Sequence, residues 1–328
     1  MRKPAENYAI ILSVIKLSDF YQSVFGTKVY KIALDAGCTC PNRDGTKGTG
    51  GCIFCSPSGS GEFASDKKLT VKEQIEEAKK RVESKIQGRS GSRRGKYIAY
   101  FQNFTSTYGD AKILSEKYRE ALLCEDVAGL CVATRPDCIG DEILSELLEI
   151  SKTTFVQIEL GLQTSNEKTG NLINRCYTNE DYSDAVCRIK KTAPEIHVVT
   201  HLIFGLPGET EKDMLESVRF VVDNNNIPGS ENPVKTPGLF GIKITSLFVL
   251  KDTPLLKLYN SGEMKTLEKE EYLAILKKAL PLLGENCVVH RLTGDPPKNS
   301  LIAPVWTTDK KRVLNDISGL LTSTGFRL

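Results

Sequence analysis

Short apolar runs alternate with amphipathic stretches along most of the chain. Residues 29–36, 97–104, 130–134, 155–163, 197–204 and 242–250 have strand length and are rich in β-branched or aromatic residues. Between them, residues 71–84, 111–124, 141–151, 180–191 and 211–225 repeat their apolar positions at helical spacing, and 268–283 predicts a further helix. In 211–225 the repeating set is Met214, Leu215, Val218, Val221 and Val222, and Thr210 with Asp213 three residues on gives a start signal. Strand–helix repetition of this kind predicts an α/β fold around a parallel sheet. Six units fall two short of an eightfold barrel. A partial (β/α)6 TIM-like barrel and a doubly wound sheet both fit, and either puts chemistry at the C-terminal ends of the strands. The loops 88–95 and 229–238 predict flexible connections within one domain. The segment after Gly284 shows no strand–helix alternation and is expected to pack across the domain.

Strand residues alternate faces. In 155–163 one face holds Val156, Ile158, Leu160 and Leu162, and the other holds Gln157, Glu159, Gly161 and Gln163. A strand buried in a parallel sheet should be apolar on both faces. The polar face marks either a solvated edge or, for a strand in mid-chain, the wall of a ligand cavity. In 242–250, Lys243 and Thr245 share a face; Lys243 either points into a barrel toward an anionic group or reaches solvent from a strand end.

The 328 residues include 44 Lys+Arg and 41 Asp+Glu, a formal net charge of +3, with 40% hydrophobic and 26% charged residues. These values exclude a disordered or collagen-like chain. The longest apolar run, 241–250, contains Lys243 and is too short to span a bilayer. The first residues carry no secretory cleavage pattern, so a cytoplasmic protein with reduced thiols is expected. Overall charge is too small to argue for nucleic acid. Locally, residues 79–96 hold eight basic residues and one acidic. That run reads equally as a phosphate-tracking patch or as a helix C-terminus followed by a solvated loop.

Four of the ten cysteines fall in Cys38-Thr-Cys40-Pro-Asn-Arg-Asp-Gly-Thr-Lys-Gly-Thr-Gly-Gly-Cys52-Ile-Phe-Cys55, directly after the first strand. The Cys52-x-x-Cys55 pair lets two thiolates reach one metal centre, and the glycines between Cys40 and Cys52 let the loop fold back with a third. Three thiolates leave one iron of a cubane open for an outside ligand, by the logic of an open catalytic zinc position. The alternative is a zinc knob with Cys38 as fourth ligand. Cys124, Cys131, Cys138, Cys176, Cys187 and Cys287 lack such spacing and read as small apolar residues.

The chain resembles the radical S-adenosylmethionine (SAM) enzymes, and more narrowly the YtqA (MnmL)/YhcC-like group related to the elongator catalytic subunit. The matching residues are Cys40-Pro-Asn-Arg-Asp-Gly, Cys52-Ile-Phe-Cys55, Phe101-Gln-Asn-Phe-Thr105, Glu159-Leu-Gly-Leu-Gln-Thr164, Ile173-Asn-Arg175, Gly205-Leu-Pro-Gly-Glu-Thr210 and His290-Arg-Leu-Thr-Gly-Asp295. The wide gap before Cys52 is particular to this group. The resemblance implies a radical SAM partial barrel (27–250) between an N-terminal extension (1–26) and a C-terminal extension packing on it (251–328).

It further implies that Cys40, Cys52 and Cys55 hold a [4Fe–4S] cluster and that SAM is reductively cleaved to a 5′-deoxyadenosyl radical. Glu159 and Gln163 would hold the ribose and amino acid portion of SAM, and Arg175 its carboxylate or a neighbouring side chain. Gln102 and Thr105 stand at the amino-group position, Phe54 against the adenine, and Gly205 and Gly208 in the adenine-side loop. His290 and Arg291, with Asp295, are placed at the barrel mouth or stapling the tail down; with Lys243 they are the substrate-side candidates.

The implied substrate is a tRNA wobble uridine whose carboxymethylaminomethyl group is trimmed to aminomethyl. A one-electron reductant such as flavodoxin or ferredoxin and a downstream methyltransferase would be partners, with no membrane. The alternatives are radical chemistry on a small metabolite or peptide, and a non-catalytic iron–sulfur electron carrier or sensor. The chain departs from the group's pattern at Cys176-Tyr177, where Gly-His is common, and at Thr245 and Phe248, where histidines are.

Overall fold

The computed structural model describes residues 14–59, 61, 64–86, 95–226 and 239–323. In chain order the elements are β1 (Ile15–Lys16), α1 (Leu17–Phe25), β2 (Lys28–Leu34), α2 (Val71–Ile86), β3 (Gly95–Phe101), α3 (Ala111–Leu122), β4 (Val127–Thr134), α4 (Asp141–Ser151), β5 (Phe155–Gln163), α5 (Glu167–Leu172), α6 (Asn179–Thr192), β6 (His197–Phe204), α7 (Glu211–Asn225), β7 (Phe240–Ser246), β8 (Val249–Leu250), α8 (Leu255–Asn260), α9 (Lys269–Ala279), β9 (Cys287–Arg291), β10 (Leu301–Ala303) and α10 (Lys310–Ser323).

Eight strands form one sheet in the order β1-β9-β7-β6-β5-β4-β3-β2, every neighbouring pair parallel. The six consecutive strands β2 to β7 are the predicted α/β partial barrel. The expectation for the segment after Gly284 is corrected, because Cys287–Arg291 enters the sheet beside β7 as β9, and β1 follows it. Five residues with only three apolar ones were too short a signal to separate from loop. Strand 242–250 also divides: β7 ends at Ser246, and Val249–Leu250 pairs antiparallel with β10 instead.

Helices α2, α3, α4, α6, α7 and α9 cover one face of the sheet, whereas α1 packs on the other, with Tyr21 donating to Gln157. Val156, Ile158, Leu160 and Leu162 of β5 turn to that face and are at most 1% exposed, packed into the main core with apolar residues of α4, α6 and α7. The opposite face of β5 carries Gln157 and Glu159, at 0% and 1% exposure, inside the curled sheet. Thr210 and Asp213 form the predicted capping box, and Thr178 with Asp181 forms another on α6. The C-terminal elements are tied to the sheet by Tyr272, which is fully buried and whose hydroxyl is shared between the carbonyls of Ile244 at 3.2 Å and Leu292 at 3.1 Å.

Tyr272→Phe removes that donor while keeping the ring. It is expected to destabilise the fold by about 1–2 kcal/mol, because buried carbonyls lose a partner. Chemical denaturation checks this; an unchanged midpoint would show that the hydroxyl ties nothing.

Candidate functional site

The cysteine loop leaves the C-terminal end of β2 and is held shape-first by its own polar groups. The backbone amides of Arg43 and Asp44 donate to the Cys40 carbonyl at 2.8 and 3.2 Å, and Asp44 pairs with Thr49 in an isolated antiparallel bridge. The eleven residues between Cys40 and Cys52 therefore fold as a closed turn. The Asn42 side chain donates to the Asn174 carbonyl at 2.5 Å and to the Cys52 sulfur at 3.8 Å, and Asn174 donates back to Gly51 at 2.9 Å. Arg43 crosses to the carbonyls of Cys55 and Ser56, at 3.2 and 2.7 Å, with its guanidinium over the Phe104 ring. Gly51 has φ of +78°, after Gly50 at +77°, and a Cβ on Gly51 would run into Arg43. Glycine at 51 is thus what lets the arginine clamp both cysteine segments.

Burial pushes the Cys52 thiol up to about 12, with Cys55 adding and Arg135 opposing; Cys40 is also close enough to contribute. Burial and the neighbouring sulfurs thus favour the protonated form of Cys52 until a cationic core replaces its proton. Among the described residues no three His, Cys, Asp or Glu side chains converge as they would on a single ion, which for zinc means sulfurs about 4 Å apart. Three thiols carried by one closed loop, with Asn42 donating to the Cys52 sulfur, are a donor set of the kind an iron–sulfur core takes. Cys38 stands apart: burial raises its thiol to about 11, and its charged neighbours are Lys117 and Asp35. Cys138 and Cys176, read from sequence as small apolar residues, face the same loop instead. Cys138 feels Cys40, and the Cys176 sulfur lies against Gly48 and donates to the Asn174 side chain at 3.3 Å. Cys187, read in the same way, is exposed.

Beside the loop opens a cavity of about 1200 Å³, the lumen of the curled sheet. It brings together six of the sequence candidates: Phe54, Gln102, Gln163, Lys243, His290 and Arg291. Gln163 ends β5 with φ of +70°, where the β5–β6 register shifts. Its amide folds back over Gly161 so closely that a Cβ at 161 would collide with it. A non-glycine residue in this region costs roughly 1 kcal/mol or more, a strain typical of ligand-facing positions. Ser246, also on the wall, has a buried hydroxyl with no hydrogen-bond partner among the described residues, and so does Thr105, off the wall. Gly205 and Gly208, expected in an adenine-side loop, have positive φ and lie off the cavity wall.

Glu159 does something other than expected. Its carboxylate has no exposed surface and accepts from Lys31 Nζ at 2.5 Å, Lys243 Nζ at 2.5 Å, Tyr100 OH at 2.5 Å, Gln157 Nε2 at 2.6 Å and His201 Nε2 at 2.8 Å. Five donors fill its acceptor capacity, leaving none for a SAM ribose. Burial pushes the carboxyl up, but Lys243 and Lys31 outweigh it and hold it well below the usual range. Lys243 thus points into the barrel, toward an anion the chain itself supplies. Lys31, Tyr100 and His201 were absent from the sequence reading; alternation along β2, β3 and β6 places them on the inner face, and that signal was available.

Arg175 is fully buried and likewise satisfied: it donates to the carbonyls of Tyr177 at 2.9 Å, Leu162 at 3.1 Å and Thr164 at 2.6 Å, and pairs with Glu167 at 3.1 Å. With Asn179 as a further acceptor at 3.3 Å, all five guanidinium donors are engaged within the chain. Tyr177 is sandwiched by Arg135 and Arg175, each 4.7 Å from the ring centroid. At the mouth, Asp295 pairs with Lys310 at 2.6 Å and Arg291 at 3.4 Å, so the tail is stapled down at the cavity rim. His290 stacks on His197, with their Nε2 atoms 2.9 Å apart. The basic run from Lys79 to Lys96 and the loop 88–95 lie partly outside the described residues, and the loop 229–238 lies wholly outside them. No helix among the described residues is long and apolar enough to cross a membrane.

The model of the Radical SAM superfamily matches residues 44–221, and that of the Radical_SAM C-terminal domain matches residues 240–322. The chain is 39% identical over 301 residues to the protein YtqA of Bacillus subtilis, covering 92% of this chain and 87% of that one. A shorter match, 27% identical over 176 residues, covers 53% of this chain and 29% of the tRNA uridine(34) acetyltransferase of Methanocaldococcus jannaschii. Among solved structures, Elp3 of Methanocaldococcus infernus, lacking its N-terminus, superposes with a TM-score of 0.62 at 17% identity, covering 92% of this chain and 64% of that one.

Two outcomes are expected. After anaerobic reconstitution, serine at Cys40, Cys52 or Cys55 abolishes iron retention, whereas Cys38→Ser keeps it; iron counting checks both. Burial, helped by Lys31, holds His197 down at about 3. The unfolded ring takes a proton near pH 6.5, so stability is full above that pH and lost as pH falls toward 3. The loss is about 1.4 kcal/mol per pH unit for that ring. Denaturant unfolding at pH 7 and pH 5 should differ by about 2 kcal/mol from His197 alone; a flat profile contradicts it.

Proposed function

Since the chain belongs to the radical SAM superfamily, we propose that it acts on tRNA, trimming a carboxymethylaminomethyl group on the wobble uridine to aminomethyl. As an enzyme of that superfamily its cofactors are a [4Fe–4S] cluster and SAM. Cys40, Cys52 and Cys55 would hold the cluster. When bound, the two supply a 5′-deoxyadenosyl radical able to take hydrogen from an unactivated carbon.

The chain's own residues divide the remaining work. Asn42 and Arg43 fix the ligand loop before any cofactor arrives. Phe54, directly beside Cys55, and Gln102 and Gln163, at the strand ends, line the part of the cavity nearest that loop. They would position SAM, with Thr105 and Ser246 supplying hydroxyls that have no partner among the described residues. Gly205 and Gly208 would shape the adenine-side loop, as the family pattern has it. The sheet closes the lumen to bulk water on the helical side.

The observation that carries the substrate reading is the lumen's charge. Lys28, Lys31, Arg81, Lys243, Arg291 and Lys310 line it, against Asp295 on the wall and Glu159 just behind it, six cations to two carboxylates. A wide basic cavity suits a polyanion delivering one nucleotide. The kinship with a tRNA uridine(34) acetyltransferase supports the same class. A reductant such as flavodoxin or ferredoxin would supply the electron, and a methyltransferase would consume the product.

Anaerobically reconstituted protein is expected to form 5′-deoxyadenosine from SAM with a strong reductant. Wobble nucleosides from a deletion strain should accumulate the carboxymethylaminomethyl form in mass spectra. Unchanged nucleosides would remove the substrate from this reading and leave the cofactors in place.

A further inference from the structure

The inner face of the barrel carries more positive charge than it neutralises. Lys31 and Lys243 meet one carboxylate, Glu159, and both ammonium groups flank the Tyr100 ring, at 5.2 and 5.1 Å from its centroid. Both lysines line the cavity, yet their side chains are only 15% and 12% exposed. Arg291 is near enough to Lys243 to oppose its charge. The one acid on the cavity wall, Asp295, is already engaged by Lys310 and Arg291 at the rim. Two buried cations against one anion leave an excess of one positive charge, and an uncompensated buried charge is costly.

The geometry points to Lys243, seconded by Lys31, as the binding site for a single carboxylate carried by the substrate. Lys243 gives Glu159 one of its three N–H donors and faces the cavity with the others. An excess of one charge matches a carboxylate better than a doubly charged phosphate. Glu159 is four residues down β5 from Gln163, roughly 13 Å along the strand, which is farther than the substituent alone reaches, so the base itself would enter the lumen with its substituent leading toward Lys243. Glu159 then has a positioning role: it fixes both ammonium groups and keeps the site from being more strongly cationic. This inference rests on the wobble-uridine reading, whose substituent ends in a carboxylate.

Burial draws Lys243 down to about 8, with Glu159 working against it. The charged and titratable groups facing it are Lys31 on β2, Tyr100 on β3, Cys131 on β4, Glu159 on β5, His201 on β6, and His290 and Arg291 on β9. Protonated Lys243 binds the carboxylate, so recognition should weaken as pH rises above about 8.

The test compares two anticodon stem-loops, one with carboxymethylaminomethyl-uridine and one with aminomethyl-uridine at the wobble position, binding to the holoenzyme with SAM. The wild type should prefer the first by tenfold or more. Lys243→Met should bring that ratio close to one, Lys243→Arg should keep most of it, and in the wild type it should fall above pH 8. A preference unchanged in Lys243→Met overturns the assignment. Should Lys243→Met fail to retain iron, the arginine variant and the wild-type pH profile decide. Equal binding of both stem-loops to the wild type overturns this inference and leaves the tRNA reading standing. Binding of neither ends the tRNA reading; the site is then judged by the Lys243 ionisation, read by NMR with and without acetate, where an upward shift supports it and none overturns it.

Discussion

A single buried carboxylate organises the inner face of this protein. The donors around Glu159 come from β2, β3, β5, β6 and β7: Lys31, Tyr100, Gln157, His201 and Lys243. In the sheet order β2 stands three strands from β5, about 14 Å away if the sheet were flat. Side chains stand roughly perpendicular to a sheet, so Lys31 and Glu159 would not meet at 2.5 Å across a flat surface. The contact exists because the inner face closes on itself. The curl in turn turns an open sheet into a lumen, so the pairing of this charge and the existence of the cavity are two sides of one constraint.

The cysteine loop is built on a different principle. It has little apolar core of its own and is held by side chains reaching to backbone: Asn42 to Asn174, Asn174 to Gly51, Arg43 to Cys55 and Ser56. Such contacts fix positions without filling volume. They suit a segment that must keep a hollow beside Cys40, Cys52 and Cys55 for a bulky group. The helical face of the sheet, packed with Ile158, Leu160, Val186 and Val218 at zero exposure, supplies the rigidity that the loop lacks.

The fold was legible where its periodicity was long. Strands 155–163 and 197–204 and helices 141–151 and 211–225 have the same bounds in sequence and structure, because their apolar positions repeat over several turns or pleats. β9 was missed because five residues with a histidine and an arginine carry no such repeat. Of the polar face of β5 only Gln163 reaches the cavity wall; Gln157 and Glu159 lie buried behind it in a paired network. What alternation could not say is which polar groups on that face are already paired. Glu159 and Arg175 were assigned to SAM from their family positions, and their partners, Lys31 and Tyr100 in the one case and backbone carbonyls in the other, sit far away in sequence or have no side-chain signal at all. Cys138 and Cys176 were hidden for the same reason: both approach the ligand loop from other strands' connections.

Satisfaction of polar groups therefore separates the residues that build the site from those that meet a ligand. Glu159 and Arg175 use their full hydrogen-bonding capacity within the chain, and a ligand would have to displace those partners to reach them. A buried group whose partners are complete gains nothing from a new one and loses much if an old one leaves. Open capacity is elsewhere. The hydroxyls of Ser246 and Thr105 and the side-chain oxygen of Asn42 are buried without partners among the described residues, and Lys243 holds donors in reserve on the cavity side. Asn42 lies beside Cys52, Thr105 follows β3, Ser246 ends β7 and Lys243 lies deeper in the lumen. Unpaired polar groups of this kind cost free energy in the empty chain. Asn42, Thr105, Ser246 and Lys243 run from the cysteine loop into the barrel, whereas the equally unpartnered oxygen of Asn225, at the end of α7, answers to no ligand there.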